Sequence, residues 1–186
     1  NTLIGTAENG HTYPGATSPF GLIQASPETG NDGWKYCSGF NLSDDSIIGF
    51  AQTHLSGTGG PGLGDILLLP FSHDKNSFPY KTKYEKESQV ATAGYYSVVL
   101  PDENIQAEMT TTQRTAFYRF IYKASDEPRQ LLLDLQNGIA GWGKNVNQLV
   151  LSATMQTPNA YTITGYNDIE AWVHRRCFYA IEFDKP

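Results

Sequence analysis

From residue 94 to residue 183 the chain alternates short apolar–polar runs with turn-forming groups, and nowhere does it sustain the period of a three-turn helix. This feature does most to limit the fold. Gly94-Tyr95-Tyr96-Ser97-Val98-Val99-Leu100 is aromatic and β-branched and stops at Pro101-Asp102. Ile105-Gln106-Ala107-Glu108-Met109-Thr110 alternates as a half-buried strand does, and 115–122 repeats the pattern with larger side chains. Further runs lie at 130–136, 161–166 and 176–183. Turn groups separate them at 101–104, 125–128, Asn137-Gly138 and 184–186. Short strands at this spacing without intervening helices indicate an all-β fold, an antiparallel sandwich or barrel, and argue against a parallel α/β fold. No internal repeat supports a propeller or solenoid.

At 186 residues the chain can bury one sizeable core, so a single domain over 1–186 is expected. Hydrophobic residues make up 39% and the net charge is −6, with no run of Lys or Arg. The basic footprint of a nucleic-acid binder is missing. The longest apolar run, 66–71, is far shorter than the roughly 18 residues that suggest a membrane span. Cys37 and Cys177 belong to no CxxC pair, which argues against structural zinc; a disulfide and two buried free thiols both remain open.

Residues 1–65 read differently. They are rich in Gly, Ser, Thr, Pro and Asp, and are expected to form long loops laid over a sheet rather than a compact core. Unusual clusters gather here: Gly10-His11-Thr12-Tyr13-Pro14-Gly15-Ala16-Thr17-Ser18-Pro19-Phe20-Gly21, Asp32-Gly33-Trp34-Lys35-Tyr36-Cys37-Ser38-Gly39-Phe40, Ser46-Ile47-Ile48-Gly49-Phe50-Ala51-Gln52-Thr53-His54-Leu55-Ser56, and Gly57-Thr58-Gly59-Gly60-Pro61-Gly62-Leu63-Gly64-Asp65. The last contains a formal G-x-G-x-x-G, but Pro61 and the strand-like residues after it do not suit a dinucleotide site. The loop is read either as plain turn chemistry or as backbone kept bare for close approach to a ligand or a domain.

His11, His54, His73 and His174 show no metalloprotease spacing, and no nucleophile elbow is present. His54, where a strand meets the glycine loop, is either ligand-facing, at a domain interface, or a hydrogen-bonded structural histidine. Asp44-Asp45 reads as a solvated turn, while Asp65 closes the glycine loop. Trp34 has little local core to join in its Gly-flanked polar loop. It either presents its ring to the apolar face of a sugar or folds back onto the sheet. Trp142 and Trp172 are expected to pack or to line an interface.

Taken in order, Ile4-Gly5-Thr6, His11-Thr12-Tyr13-Pro14-Gly15-Ala16, Pro19-Phe20-Gly21, Gly33-Trp34, Cys37-Ser38-Gly39, Ile47-Ile48-Gly49-Phe50, Thr53-His54-Leu55-Ser56-Gly57-Thr58-Gly59 and Gly64-Asp65-Ile66 resemble the N-terminal region of glycoside hydrolase family 92. These are calcium-dependent exo-acting α-mannosidases, chiefly of bacteria. The similarity is dense over residues 1–70 and looser beyond, and it departs at Gly60-Pro61-Gly62. The resemblance implies an N-terminal β-sandwich followed by a C-terminal (α/α)6 barrel that carries the acid, the base and the calcium ligands. It implies inversion of anomeric configuration, with carboxyl groups about 6.5–9.5 Å apart. It implies a mannose-containing glycan as substrate, α-1,2-type cleavage, and a secreted, periplasmic or cell-surface location.

On this reading the chain contains no catalytic residue and no metal ligand. It is expected to continue with further strands past Phe183 and to be inactive alone. The resemblance gives Trp34 a sugar contact, and Gly33, His54 and Asp65 are expected to join it in substrate binding. The alternative is a self-sufficient carbohydrate-binding or adhesion sandwich, which retained glycan affinity in the isolated chain would reveal.

Overall fold

The computed structural model describes residues 1–72, 80–123, 128–140 and 149–185. His73, Trp142 and most of the 125–128 turn lie outside them. In chain order the strands are β1 (Ala16–Thr17), β2 (Gln24–Glu28), β3 (Ser46–Ile47), β4 (Gly49–Ala51), β5 (Leu67–Phe71), β6 (Thr82–Lys83), β7 (Glu85–Thr92), β8 (Tyr95–Leu100), β9 (Ile105–Thr111), β10 (Ala116–Tyr122), β11 (Gln130–Asp134), β12 (Leu149–Asn159), β13 (Thr162–Glu170) and β14 (Arg175–Glu182). The only helical elements among the described residues are short 3-10 turns at Trp34–Tyr36 and Pro101–Glu103. The strands form a five-stranded sheet β1-β2-β4-β5-β11, a four-stranded sheet β10-β9-β8-β7, a three-stranded sheet β12-β13-β14 and the pair β3-β6, with every strand pairing antiparallel. The all-β reading holds.

The core lies between the five- and four-stranded sheets. In the latter, Tyr96 stands opposite Met109, Val98 opposite Ala107 and Leu100 opposite Ile105, and all six are buried. On the next strand Tyr118, Phe120 and Tyr122 pair with Met109, Ala107 and Ile105. Cross-strand pairs on one face therefore run through three strands, which fixes the register because a one-residue slip would turn the whole set outward. Ala16, Ala25 and Phe50 of the facing sheet close the core. The Phe50 ring centroid lies 6.2 Å from that of Phe120 and 6.5 Å from that of Tyr118, and the Tyr118 hydroxyl donates across to Gln52 Oε1 at 3.1 Å. The turn 101–104 forms as its sequence indicates, with Asn104 in the left-handed region at φ 54°.

Residues 1–65 depart from expectation. They supply β1, β2 and β4 of the five-stranded sheet, and their Ala16, Ala25, Phe40, Ile47 and Phe50 belong to the main core. Their strands are short, and β2 and β4 are buried almost throughout. A strand covered on both faces shows no apolar–polar alternation, so its signal vanishes. The charged edge strand β7 and the mostly exposed β12 escaped notice for the opposite reason, since polar side chains suit exposed edges and mask the strand.

Candidate functional site

Gly33 takes φ 87°, a left-handed conformation that costs glycine little, and it starts the 3-10 turn Trp34–Tyr36. The turn sends Cys37 inward and leaves Trp34 43% exposed. A Cβ on Gly33 would meet nothing within 4 Å, so the surface beside the indole is open. Two neighbours fix the ring. His11 packs on it in a T-shape with centroids 4.5 Å apart, the preferred arrangement of ring quadrupoles. Gly59 lies beside the tip of the ring: a Cβ there would stand 3.4 Å from Trp34 Cη2, an ordinary van der Waals contact. His11 itself is buried, and its carbonyl accepts hydrogen bonds from Ser38 Oγ and from the Gly57 amide. Three of the sequence clusters are thus joined at Trp34.

His54 lies beneath the surface, 3% exposed. Its Nδ1 is 2.7 Å from the Gln24 carbonyl; a carbonyl only accepts, so Nδ1 carries the hydrogen. Its Nε2 faces Glu28 Oε1 at 3.2 Å, with both side chains sealed from solvent. That distance makes a charge pair when the ring is doubly protonated, but the two atoms are poorly aligned and form no hydrogen bond. Glu28 Oε2 accepts from Asn137 Nδ2 at 2.9 Å, and the same Nδ2 donates to the Gly64 carbonyl at 2.7 Å. Asn31 Nδ2 donates to Asn137 Oδ1 at 2.9 Å, and the Ala140 amide donates to the Asn31 carbonyl at 2.6 Å. This polar chain leads from the core back to the loop that carries Gly33 and Trp34. Gly39 (φ 73°) and Gly64 (φ 79°) wall it in, because a Cβ at either would press on Glu28 at 2.7–2.8 Å.

Asp65 is also buried, 2% exposed. Its Oδ2 accepts from Thr53 Oγ1 at 2.9 Å, and Arg175 Nη2 reaches both carboxylate oxygens at 2.9 and 3.2 Å. This pair ties the start of β14 to the end of the glycine loop. Trp172, in the β13–β14 turn, packs on that loop too: its ring comes within 3.2 Å of a Cβ position on Gly62. In the same hairpin Asp168 bonds Arg176 and His174, each at 2.9 Å; the Arg176 bond chiefly, then His174, holds its carboxyl below the usual range. Cys37 and Cys177 are free, and burial pushes both thiols up.

Of the four residues read as substrate-binding, Gly33 and Trp34 reach the surface, whereas His54 and Asp65 stand in buried polar networks. Sequence reasoning missed Glu28, Asn137, Arg175 and the seat of Trp172. Asn137 stands in the turn pair Asn137-Gly138, and nothing in the sequence around Glu28 marks it. An open depression of about 720 Å³ on the β12–β14 sheet, lined by residues such as Tyr166 and Phe178, shares no residue with this surface. Among the described residues, no group of three or more His, Cys, Asp and Glu could hold a metal ion.

The sequence model of the glycosyl hydrolase family 92 N-terminal domain matches residues 1–186. The chain belongs to this family. Solved structures similar to this family 92 N-terminal domain include a family GH92 α-mannosidase from Bacteroides thetaiotaomicron, at 32% identity and a TM-score of 0.91 over 100% of this chain and 25% of that one. The same bacterium's mannosidase in complex with mannoimidazole gives 33% identity and a TM-score of 0.91, with the same coverage. A family GH92 inverting mannosidase from that organism shares the fold at 16% identity and a TM-score of 0.65, over 98% of this chain and 28% of that one. An uncharacterized secreted glycosidase of the fungus Arthroderma benhamiae is 35% identical over 128 residues, 63% of this chain and 16% of that protein. The chain thus spans about a quarter of the solved relatives' length and less of the fungal one.

Proposed function

We propose that this chain is the N-terminal domain of a secreted, periplasmic or cell-surface exo-acting α-mannosidase of the inverting, α-1,2 type. In this reading it shapes the substrate pocket of a C-terminal (α/α)6 domain that carries the catalytic carboxyls and binds calcium. The chain alone turns over no mannoside. Its substrate is a mannose-containing glycan, and Trp34 is the group that meets the sugar. The observation that carries the proposal is the mounting of Trp34, a large ring held at the surface by His11 and Gly59 beside an open Gly33. A ring fixed in advance binds a pyranose face at little ordering cost. The family match and the named activities of the Bacteroides relatives support the substrate class. His54 and Asp65 serve that surface from behind, through the networks that hold its loops.

The test is Trp34→Ala in the full-length enzyme. If sugar removes on the order of 100 Å² of indole from water, the transfer term is about 2.5 kcal/mol; ordering costs reduce the expected loss in kcat/KM to ~10–50-fold. The melting temperature should move little. A variant that melts much earlier yet keeps normal kcat/KM while folded would make Trp34 structural and refute the assignment.

A further inference from the structure

We infer that Trp172 is a second sugar platform, placed to hold a more distant mannose unit of the glycan whose end lies at Trp34. The inference rests on the mannosidase reading above and extends it to chain length. Its starting point is the hairpin turn 171–174 between β13 and β14. This turn is pinned to the glycine loop at two places. Arg175 grips the buried Asp65 through both carboxylate oxygens, and the Trp172 ring lies on Gly62, with atoms 3.2–3.5 Å from the Cβ position there. At φ 149° Gly62 is in a conformation that L side chains rarely adopt, and the indole fills the space a side chain would need.

So pinned, Trp172 nonetheless remains 59% exposed, more than Trp34. An indole kept for core packing would be covered, whereas this one packs on glycine and leaves more than half of itself open. A rigid aromatic surface of that kind suits a ligand with an apolar face, since few rotamers are lost on binding. Hydrogen-bonding groups stand in the same hairpin. His174 and Arg176 are about half exposed and both bonded to Asp168, a charged cluster able to engage sugar hydroxyls.

The occupant is indicated by continuity with Trp34. The two indoles rest on adjacent glycines: Trp34 stands 3.4 Å from the Cβ position of Gly59, and Trp172 stands 3.8 Å from that of Gly60. With consecutive Cα atoms 3.8 Å apart, the nearest ring atoms of the two indoles are within roughly 14 Å of one another. A short run of linked pyranose rings covers that distance. A glycan engaged at Trp34 therefore has its next units within reach of Trp172, and binding energy gathered there, remote from the reacting bond, can raise kcat/KM for longer substrates only.

The experiment compares Trp172→Ala and Trp172→Phe with wild type in the full-length enzyme, using an α-mannobiose and a linear α-mannotetraose. For Trp172→Ala, kcat/KM on the mannobiose should stay within about twofold while that on the mannotetraose falls ~5–10-fold. Trp172→Phe, which keeps a flat ring, should recover most of the loss, and neither variant should melt appreciably earlier. An equal loss on both substrates, or a lowered melting temperature that Phe restores without any substrate-length effect, would mean that the catalytic domain covers Trp172, and would overturn the inference. A wild type that cleaves both sugars and a Trp172→Ala variant unchanged on the mannotetraose would overturn it while leaving the mannosidase reading intact. A wild type that cleaves neither would overturn both.

Discussion

Gly64→Ala should destabilise the chain clearly more than Gly33→Ala, although both glycines hold a positive φ. Gly33 sits at φ 87° and ψ 175°, and Gly64 at φ 79°; a non-glycine residue held in so sparsely populated a region costs roughly 1–3 kcal/mol. Alanine returns about 0.4–1 kcal/mol by restricting the unfolded chain, so strain alone comes to about 1 kcal/mol at either site. The surroundings then differ. A Cβ on Gly33 meets nothing within 4 Å, whereas one on Gly64 falls 2.7 Å from Glu28 Oε1, 2.9 Å from Ile139 Cγ1 and 3.1 Å from the Ile139 amide nitrogen. Glu28 cannot swing aside cheaply: it is sealed from solvent, bonded to Asn137 and placed against His54. Ile139 is buried, and its amide donates to the Leu63 carbonyl at 2.9 Å. Overpacking of this kind adds about 1–3 kcal/mol. At about 2–4 °C per kcal/mol for a chain this size, Gly33→Ala should lower the melting temperature by roughly 2–4 °C and Gly64→Ala by roughly 5–15 °C. Scanning calorimetry of the two variants of the 186-residue chain measures the difference. Equal losses, or a Gly64→Ala variant as stable as wild type, would show that the space around Glu28 is not closed and that the network beneath Trp34 is not tightly held.

Two further outcomes follow from the same chemistry. Asp65→Ala strips Arg175 and Thr53 of a buried acceptor, and should cost about 3 kcal/mol, the lower end for breaking a buried pair because Arg175 is partly exposed; a urea midpoint equal to wild type would show that the pair contributes nothing. Burial pushes the tyrosines of the core upward, Tyr122 to about 12, and Tyr13, Tyr84, Tyr96 and Tyr118 in the same direction. Unfolded tyrosine ionises near pH 10, so their stabilisation is complete below that pH and is lost as pH rises through the folded values; denaturant midpoints unchanged between pH 9 and 11.5, roughly the window spanned by those two states, would contradict this.

The strands that could be read from sequence are those with one wet face. Ile105, Ala107 and Met109 point into the core while Thr110 is exposed, and that asymmetry is what alternation records. β4, Gly49–Ala51, is buried at every position, so no alternation marks its bounds, and the sequence shows only that some strand runs into the loop at His54. The candidate site divides along a similar line. Gly33-Trp34 announces an exposed ring because its neighbours are polar and its backbone turn is local. The partners of His54 and Asp65 are not local: Asn137 meets Glu28 across 109 residues, and Arg175 meets Asp65 across 110. Spacing along the chain says nothing at that range, and an acid such as Glu28 looks like any surface carboxylate until the fold seals it.

The glycine loop shows what local reading can and cannot deliver. Its pattern at Gly57, Gly59 and Gly62 signals backbone kept bare for something to come close. What comes close is the chain's own tryptophans, Trp34 at Gly59 and Trp172 at Gly60 and Gly62. The period of the pattern matches that of a phosphate-binding turn, but the physical demand differs. A phosphate site needs amide hydrogens converging at a helix N-terminus, and here the loop runs into β5 instead. The bare backbone brings two large rings against the loop, Trp34 by its Cη2 tip and Trp172 by several ring atoms, while both stay partly exposed. The glycines therefore act through shape and not through charge.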